Sequence, residues 1–361
     1  MRQLASVKKI KALHPIAGKD RIVLAEIDGW TVIVKKDEFE VGDPCVYVEI
    51  DSVLPERPEF EFLRSKDFRI RTMKMAGCIS QGICFPLDIL PDGHYDEGQD
   101  VTEILGVTKW ERKDATDVVE QERKATSPKF PKWLMRYAWF RKFVHSFDRK
   151  ESRGFPDFIS KTDETRIQNA PFYLDLDASW VVTEKVDGQS GTFAMVRRKK
   201  LFRTTYEYIV CSRNCRLYRK DSSSYWRVSD KYNIEAVLKD MLKSHPRWEW
   251  VAIQGECVAP NVQGNKYHVH EPDLYVFNVI TSGTGRLGSL EAADRMFSYG
   301  IPFVPILGTY GLPKTVPEML EMAHGESRLY PTLREGLVCR TLDGQRSFKA
   351  VDPLFLIKYN E

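Results

Sequence analysis

The sequence predicts an α+β protein in which a small N-terminal β-barrel precedes a larger domain of mixed strands and helices. Residues 4–108 alternate short apolar runs with Gly and Pro breaks, and from residue 178 onward strand-like runs are interspersed with amphipathic helices. A chain of 361 residues is also long enough to bury two separate cores. We therefore divide the chain into a barrel at 1–108, a linker at 109–176 and a second domain at 177–361.

The N-terminal region has the period-two patterning of half-buried strands, and the OB fold is the simplest barrel for so few short strands. The predicted strands are Ile22–Leu24, Thr31–Val34, Cys45–Ile50, Phe68–Arg71 and Gly82–Phe85. Lys and Arg side chains lie on or beside these strands. They form either a nucleic-acid-binding face or ordinary solvated strand faces, and the sequence leaves both open.

The linker differs in composition from its surroundings, because Asp148 is the only acidic residue between Pro128 and Lys150 whereas basic and aromatic residues are frequent. Apolar residues recur there with helical spacing, on a helix that Pro131 could begin: Trp133, Tyr137, Phe140, Val144 and Phe147. We expect this face to pack in a core and the basic residues on the other faces to contact phosphates. The segment that follows, with Asp163, Glu164 and Arg166, is expected at the mouth of a cleft in the larger domain.

Two helices are predicted in the larger domain from amphipathic spacing and end signals. The first covers Asn233–Leu242, with Asn233 as its N-cap, and the second covers Ser289–Ser298 and is closed by Gly300.

The stretch that follows the apolar run Trp180–Val182 carries a lysine with a chemical use. Lys185 and Asp187 share one face of a strand, and Gly188 lets the backbone turn or a ligand approach. An amine at this position can attack phosphorus if its pKa is lowered by desolvation, nearby cations or a metal. The alternative is a surface turn, because Lys-x-Asp-Gly by itself is common in hairpins.

Further fragments follow Lys185 in order: Cys211-Ser212-Arg213-Asn214, Gln254-Gly255-Glu256, Leu274-Tyr275-Val276-Phe277-Asn278, Arg334-Glu335-Gly336-Leu337-Val338 and Ser347-Phe348-Lys349. The ordered set resembles the covalent nucleotidyltransferases, the superfamily of ATP-dependent polynucleotide ligases and mRNA capping enzymes. Within it, the chain looks most similar to ATP-dependent RNA ligases with an N-terminal OB domain, and phrases such as Asp28-Gly29-Trp30 and the segment 161–169 share this resemblance. The resemblance implies a nucleotidyltransferase (ligase) domain of antiparallel sheets flanked by helices.

The resemblance also implies a role for individual residues. Lys185 would attack ATP to form lysyl-AMP, AMP would pass to the 5′-phosphate of an RNA end, and a 3′-hydroxyl would then displace AMP. Magnesium (Mg²⁺) or manganese (Mn²⁺) would be held by Asp187, Glu256 and Glu335, although Glu256 or Glu335 taken singly could equally form a surface ion pair. Lys349 would contact the α-phosphate and help to keep Lys185 uncharged. The other nucleotide-binding candidates are Thr183, Glu184, Val186, Ser212, Arg213, Phe277, Arg166 and Lys358; Phe277 either stacks on adenine or packs in the core.

The last motif departs from the family pattern. Its second lysine is replaced by Val351, so Lys349 stands alone unless Lys358 substitutes. The chain ends soon after Lys358, without the C-terminal OB domain of DNA ligases and capping enzymes, which favours RNA ends as substrate.

Composition sets broader limits. The net charge of +3 is uninformative, so a nucleic-acid surface must come from local clustering, and seven cysteines without a paired framework suggest a reducing compartment. With no long apolar run, we expect a soluble intracellular monomer that binds RNA ends or a nicked RNA-containing duplex and no membrane. The alternatives are a DNA ligase, an mRNA capping guanylyltransferase, or an inactive RNA-binding relative. We also expect residues 1–108 to be dispensable for self-adenylation but required for end joining.

Overall fold

The computed structural model of the protein describes residues 3–110, 154–200, 203–219 and 223–359. Within these ranges the α+β prediction is confirmed. The N-terminal part consists mainly of β-strands, and in the rest of the chain strands alternate with helices. The predicted aromatic helix around Trp133 and Phe147 lies outside the described residues.

The N-terminal part is built of short antiparallel strands, and every strand predicted there overlaps one of them. The strands are β1 (Ala5–Lys9), β2 (Ala12–Pro15), β3 (Ile22–Ile27), β4 (Trp30–Lys35), β5 (Pro44–Val48), β6 (Ser52–Val53), β7 (Arg69–Ile70), β8 (Thr72–Met75), β9 (Cys78–Gln81), β10 (Ile83–Phe85) and β11 (Thr108–Lys109), with helix α1 at Thr102–Leu105 and 3-10 helices at Pro58–Lys66 and Leu87–Ile89. The ladders run in the orders β1-β5-β10, β2-β3-β4, β11-β6-β7 and β8-β9. Alternate side chains of β4, such as Trp30, Val32 and Val34, are buried in the core, as the period-two pattern predicts.

The larger part contains two antiparallel sheets. Its strands are β12 (Trp180–Lys185), β13 (Gln189–Lys200), β14 (Arg203–Cys211), β15 (Arg216–Leu217), β16 (Trp250–Val258), β17 (Asp273–Thr281), β18 (Gly285–Arg286), β19 (Ile306–Tyr310), β20 (Gly336–Thr341) and β21 (Ser347–Val351). One sheet has the order β19-β12-β20-β21 and the other the order β15-β14-β13-β16-β17-β18.

Helices cover these sheets. They are α2 (Ser224–Lys231), α3 (Ile234–Ser244), α4 (Ser289–Ser298), α5 (Val316–Ala323) and α6 (Pro353–Tyr359), with 3-10 helices at Ile167–Asn169, Pro171–Asp175 and Gln263–Asn265. Helices α2, α3 and α4 share a core with the six-stranded sheet, and α5 shares one with the four-stranded sheet. No helix in the described ranges is both long and apolar enough to cross a membrane.

Both predicted helices in this part are confirmed, but one end signal acts differently. Gly300 closes α4 in the left-handed region, with φ of 68° and its N–H donating to the Phe297 carbonyl. Asn233 precedes α3 as predicted, yet its side chain makes no cap hydrogen bond. Its φ of 48° instead lets the chain turn from α2 into α3, a conformation that Asn tolerates better than most residues.

The N-terminal and larger parts pack closely against each other. Val351, Phe355 and Leu356, from β21 and α6, belong to the same buried cluster as the core of the N-terminal part. Asn169 adds polar contacts, because its Oδ1 accepts a hydrogen bond from the Trp30 indole at 2.7 Å while its Nδ2 donates to Glu49 at 2.7 Å. The N-terminal part therefore buries apolar surface that belongs to the larger part.

Candidate active site

Lys185 lies where the chain passes from the four-stranded sheet to the six-stranded sheet. It ends β12, residues 186–188 make the passage, and β13 begins at Gln189. A Cβ atom on Gly188 would lie 2.6 Å from the Cys257 carbonyl oxygen and 3.0 Å from Glu256 Cγ, so only glycine allows this approach. The close passage brings the end of β12 beside the Glu256 side chain on β16.

The Lys185 side chain forms an ion pair with Glu335. Its Nζ donates to Glu335 Oε2 at 2.5 Å, and the two side chains are 23% and 11% exposed. The sheet register explains the contact, because Lys185 on β12 lies opposite Gly336, the residue next to Glu335. Residues 150 positions apart in sequence thus meet in one cleft.

The charges around Lys185 favour its ammonium form. Burial lowers the pKa of Lys185, but the carboxylates of Glu335, Glu256 and Asp187 outweigh burial, and the net pKa is raised. The sequence-based expectation of a lowered pKa is therefore not met by the protein groups alone.

The surroundings of Glu256 favour its neutral form, in contrast to those of Lys185, which favour the charged form. Burial raises the pKa of Glu256 to about 8; Lys185 opposes this shift, and the neighbouring Glu335 and Asp187 add to it. A carboxyl group in this setting gains from any added cation, because burial and like charge both disfavour its ionised form.

Asp187 is engaged by a lysine that the sequence analysis did not select. Its Oδ2 accepts a hydrogen bond from Lys266 Nζ at 2.6 Å, and the two side chains are 7% and 6% exposed. Among the described residues, no three His, Cys, Asp or Glu side chains are arranged to hold a metal ion. The predicted metal ligands Asp187, Glu256 and Glu335 surround Lys185 electrostatically but do not form a ready-made coordination shell.

Lys349 belongs to the same cleft. Burial lowers its pKa to about 8; the facing Asp163 opposes this shift, and the cations Arg166 and Lys185 reinforce it. Lys349 Nζ donates to Asp163 Oδ1 at 3.0 Å, and Arg213 donates to Oδ2 of the same carboxylate at 3.2 Å. The predicted phosphate-binding residues Lys349 and Arg213 are thus joined through one aspartate.

Arg166 links this cleft to the N-terminal part. It forms a backbone bridge to Lys349, and its Nη2 donates to Asp51 at 3.1 Å. The side chain is only 8% exposed, and among the described residues its Nε and Nη1 atoms have no hydrogen-bond partner. Two buried guanidinium donors beside Lys349 suit a phosphate group.

Several predicted nucleotide-binding residues make hydrogen bonds within the protein. Thr183 is buried and its hydroxyl donates to the Val338 carbonyl, which supports the β12–β20 ladder. Glu184 is 1% exposed and accepts hydrogen bonds from the Ser327 hydroxyl and the Arg328 N–H. Ser212 donates to the Cys215 carbonyl within a tight turn.

An apolar cluster lies beside the lysine. It includes Val186 and Phe277, together with Tyr267, Tyr275 and Tyr330. Both readings of Phe277 remain compatible with this position, because the ring packs in the cluster yet stays partly accessible.

The two residues considered for the second lysine of the last motif differ in exposure. Val351 is 1% exposed and packs with the N-terminal core. Lys358 is exposed, with its Nζ 5.1 Å from the ring centre of Tyr359. Lys266 and Asp51 are the residues that sequence reasoning missed, because a lone lysine in a loop and a lone aspartate after a strand carry no spacing signal.

Comparisons with known proteins agree with this geometry. A model of an OB-fold domain matches residues 4–87, and a model of the RNA ligase family matches residues 178–359. Among solved structures, a mutant of Naegleria gruberi RNA ligase with ATP and Mn has a TM-score of 0.81 and 30% identity, with 100% of both chains covered. The same ligase with PPi has a TM-score of 0.79 and 31% identity, covering 100% of this chain and 99% of that chain. A mutant of it with AMP and Mn has a TM-score of 0.79 and 30% identity over 98% of both chains. A comparison with curated protein sequences gave no match.

Proposed function

The chain belongs to the RNA ligase family, and we propose that it uses ATP to join RNA ends that carry a 3′-hydroxyl and a 5′-phosphate, as in RNA nick repair. The observation that carries the proposal is the convergence of five residues from four separate segments of the sequence. Lys185, Asp187, Glu256, Glu335 and Lys349 act on one another's charge within one cleft. The solved N. gruberi ligases with ATP and Mn or AMP and Mn support ATP and a divalent ion as the cofactors.

In the proposed reaction, Lys185 Nζ forms a bond to the α-phosphorus of ATP and pyrophosphate leaves, while the amine gives up its protons to solvent. An oxygen of the RNA 5′-phosphate next attacks that phosphorus, so the P–N bond breaks and Lys185 takes back a proton. Finally the 3′-hydroxyl attacks the activated 5′-phosphate and gives up its proton to solvent, and AMP leaves with the bond electrons. Each step places negative charge on phosphate oxygens, and cations already in position stabilise it.

The donor set at Lys185 fits Mg²⁺ or Mn²⁺. Carboxylate oxygens are the ligands that these ions prefer, and Glu256 and Glu335 crowd one ammonium group. Asp187, Glu256 and Glu335 would hold the ion, in part through water, because Mg²⁺ gives up its own waters reluctantly. A bound ion supplies Lewis-acid stabilisation of phosphate oxygens and neutralises the carboxylates that hold Lys185 protonated.

The chain's own cations have separate tasks in the proposal. Lys349 contacts the α-phosphate, and Arg166 and Arg213 contact the other phosphates or the ribose. Val186 and Phe277 offer an apolar surface to adenine. Thr183, Glu184 and Ser212 support the strands and turns around the nucleotide, and they remain predicted nucleotide contacts.

We propose that residues 1–108 and the linker 109–176 add an RNA-binding surface to the catalytic region 177–361, and that the protein acts as a monomer. All seven cysteines are free, which supports a reducing intracellular compartment.

The test measures covalent uptake of AMP. The protein is incubated with ATP or GTP and Mg²⁺ or Mn²⁺, and its intact mass is recorded; we expect one added AMP from ATP and none in Lys185→Ala. Lys239→Ala, at an exposed helical position, is the matched control and should be labelled like the wild type. Label from GTP and none from ATP would replace ligase by a capping guanylyltransferase. Sealing of a nicked duplex with RNA or DNA at the nick then separates RNA ligase from DNA ligase.

A further inference from the structure

The turn that carries the nucleophile is contacted at three points by one loop, residues 263–267. Gln263 Nε2 donates to the Gly188 carbonyl at 3.1 Å, and the Asp187 N–H donates to the Tyr267 hydroxyl at 2.8 Å. Lys266 Nζ donates to the Asp187 carboxylate at 2.6 Å. The loop therefore contacts both the backbone and the side chain of the turn that follows Lys185.

This loop is held in an unusual backbone conformation. Gln263, Gly264 and Asn265 have φ of 50°, 68° and 49°, in the left-handed region, and so does His268 directly after the loop, at 53°. The Asn265 side chain braces the loop, because its Oδ1 accepts from the Val269 N–H and its Nδ2 donates to the Val269 carbonyl. Non-glycine residues persist in this region only when their surroundings impose it, and such strain concentrates at functional sites.

The Lys266 ammonium is fixed from the other side by the C-terminal helix. It lies 4.9 Å from the ring centres of both Phe355 and Tyr359 on α6, and the side chain is only 6% exposed. Cation–π attraction is stronger when the cation is desolvated, so the two rings restrict where this charge can lie. A surface ion pair would leave the Asp187 carboxylate mobile, whereas this one holds it in place.

We propose that Lys266 is a positioning residue for AMP transfer: it orients the Asp187 carboxylate, and through it the turn that aims Lys185 at the α-phosphorus. The proposal rests on the proposed function, because the step it affects is the attack by Lys185. Lys266 acts through Asp187 and contributes no group to the reaction itself.

A double-mutant cycle tests this role against a merely structural one. The rate of AMP transfer at saturating ATP is measured by single turnover for wild type, Lys266→Met, Asp187→Asn and the double variant, with thermal unfolding of each recorded. Loss of a group that orients a functional side chain typically costs about 10–100-fold, and we expect that loss in Lys266→Met. In the Asp187→Asn background, Lys266→Met should cause no further loss, because the residue through which it acts is already changed.

Two additional variants keep the test decisive. Lys266→Arg retains the charge and should recover most of the rate, even if Lys266→Met folds poorly. Lys239 lies on the surface of α3, with its Nζ 5.4 Å from the ring centre of Tyr206 on β14. The variant Lys239→Met should therefore transfer AMP like the wild type. Rate losses that multiply in the double variant, or a folded Lys266→Met with the wild-type rate, would overturn the proposal. Wild-type protein that takes up no AMP would instead overturn the proposed function and this inference with it.

Discussion

Changing Glu335 to Gln removes the charge that pairs with Lys185 while keeping the size of the side chain and an oxygen acceptor. The atoms Lys185 Nζ and Glu335 Oε2 are 2.5 Å apart. At an effective dielectric constant of about 20, two unit charges at this distance attract by roughly 7 kcal/mol. The exposed fractions of 23% and 11% mean that water screens this pair less than a surface pair.

Glu256 reduces the effect of the change. Burial raises its pKa to about 8, and Glu335 adds to that shift, so Glu256 ionises more readily once Glu335 is neutral. We therefore expect about half of the Coulomb energy to be lost, roughly 3 kcal/mol, which corresponds to an approximately 100-fold larger share of uncharged Lys185 amine below its pKa. The pKa of Lys185 should fall, in contrast to its raised value in the wild type.

Chemical acylation measures the fraction of Lys185 that is uncharged, because only the uncharged amine reacts. Metal-free protein is treated with an amine-specific reagent over a series of pH values, and the modification of Lys185 is followed by mass spectrometry. Lys185 should react faster in Glu335→Gln than in the wild type, and the exposed control Glu249→Gln should match the wild type. Mn²⁺ should accelerate the wild-type reaction more than that of Glu335→Gln. Equal rates in the wild type and Glu335→Gln would refute the electrostatic argument.

Three further predictions concern Lys349, the predicted phosphate contact, and the packing of the N-terminal part against the larger part. The pKa of Lys349 is lowered to about 8 by burial, so Lys349 loses its charge as the pH rises through this value; kcat/KM for ATP in AMP transfer should then fall above pH 8, and Lys349→Arg should not show that fall. A Cβ on Gly29 would lie 2.7 Å from Gln168 Cα, so Gly29→Ala should lower the free energy of unfolding in urea by about 1–3 kcal/mol, whereas Gly311→Ala, with open space around it, should not. Deleting residues 1–108 exposes Val351, Phe355 and Leu356. The lost burial energy, about 1.5–3 kcal/mol for each side chain, approaches the whole free energy of unfolding of a domain, so the truncated protein should unfold and lose AMP uptake. A stable truncated protein that takes up AMP would contradict this.

The deletion prediction reverses what the sequence suggested, and the reason is a contact between distant elements. From sequence alone, residues 1–108 look separable, because their patterning forms a complete barrel. The structure instead places the apolar side of α6 in the core of that barrel. Sequence patterning shows which face of a helix is apolar, but not which core covers it.

Much of the architecture was predictable because it depends on local patterns. Alternating apolar residues indicated the N-terminal strands, helical spacing indicated α3 and α4, and Gly300 indicated the end of α4. These signals depend on neighbours within a few positions, which is the range that periodicity reports. Asn233 shows where this reasoning stops: the residue type suited a cap, but the neighbouring helix α2 required a left-handed turn instead.

The sequence by itself determined the candidates for the chemistry: the lysine that we predict to attack, and the carboxylates and cations predicted to accompany it, because residue type and ordered spacing are sequence properties. Only the tertiary structure decided how these groups act on each other, since charge and burial depend on distances that no spacing specifies. It paired Lys185 with Glu335 and Asp187 with Lys266, and it buried Lys349 among other cations. For that reason the protonation of Lys185 and the role proposed for Lys266 depend on how the two sheets meet.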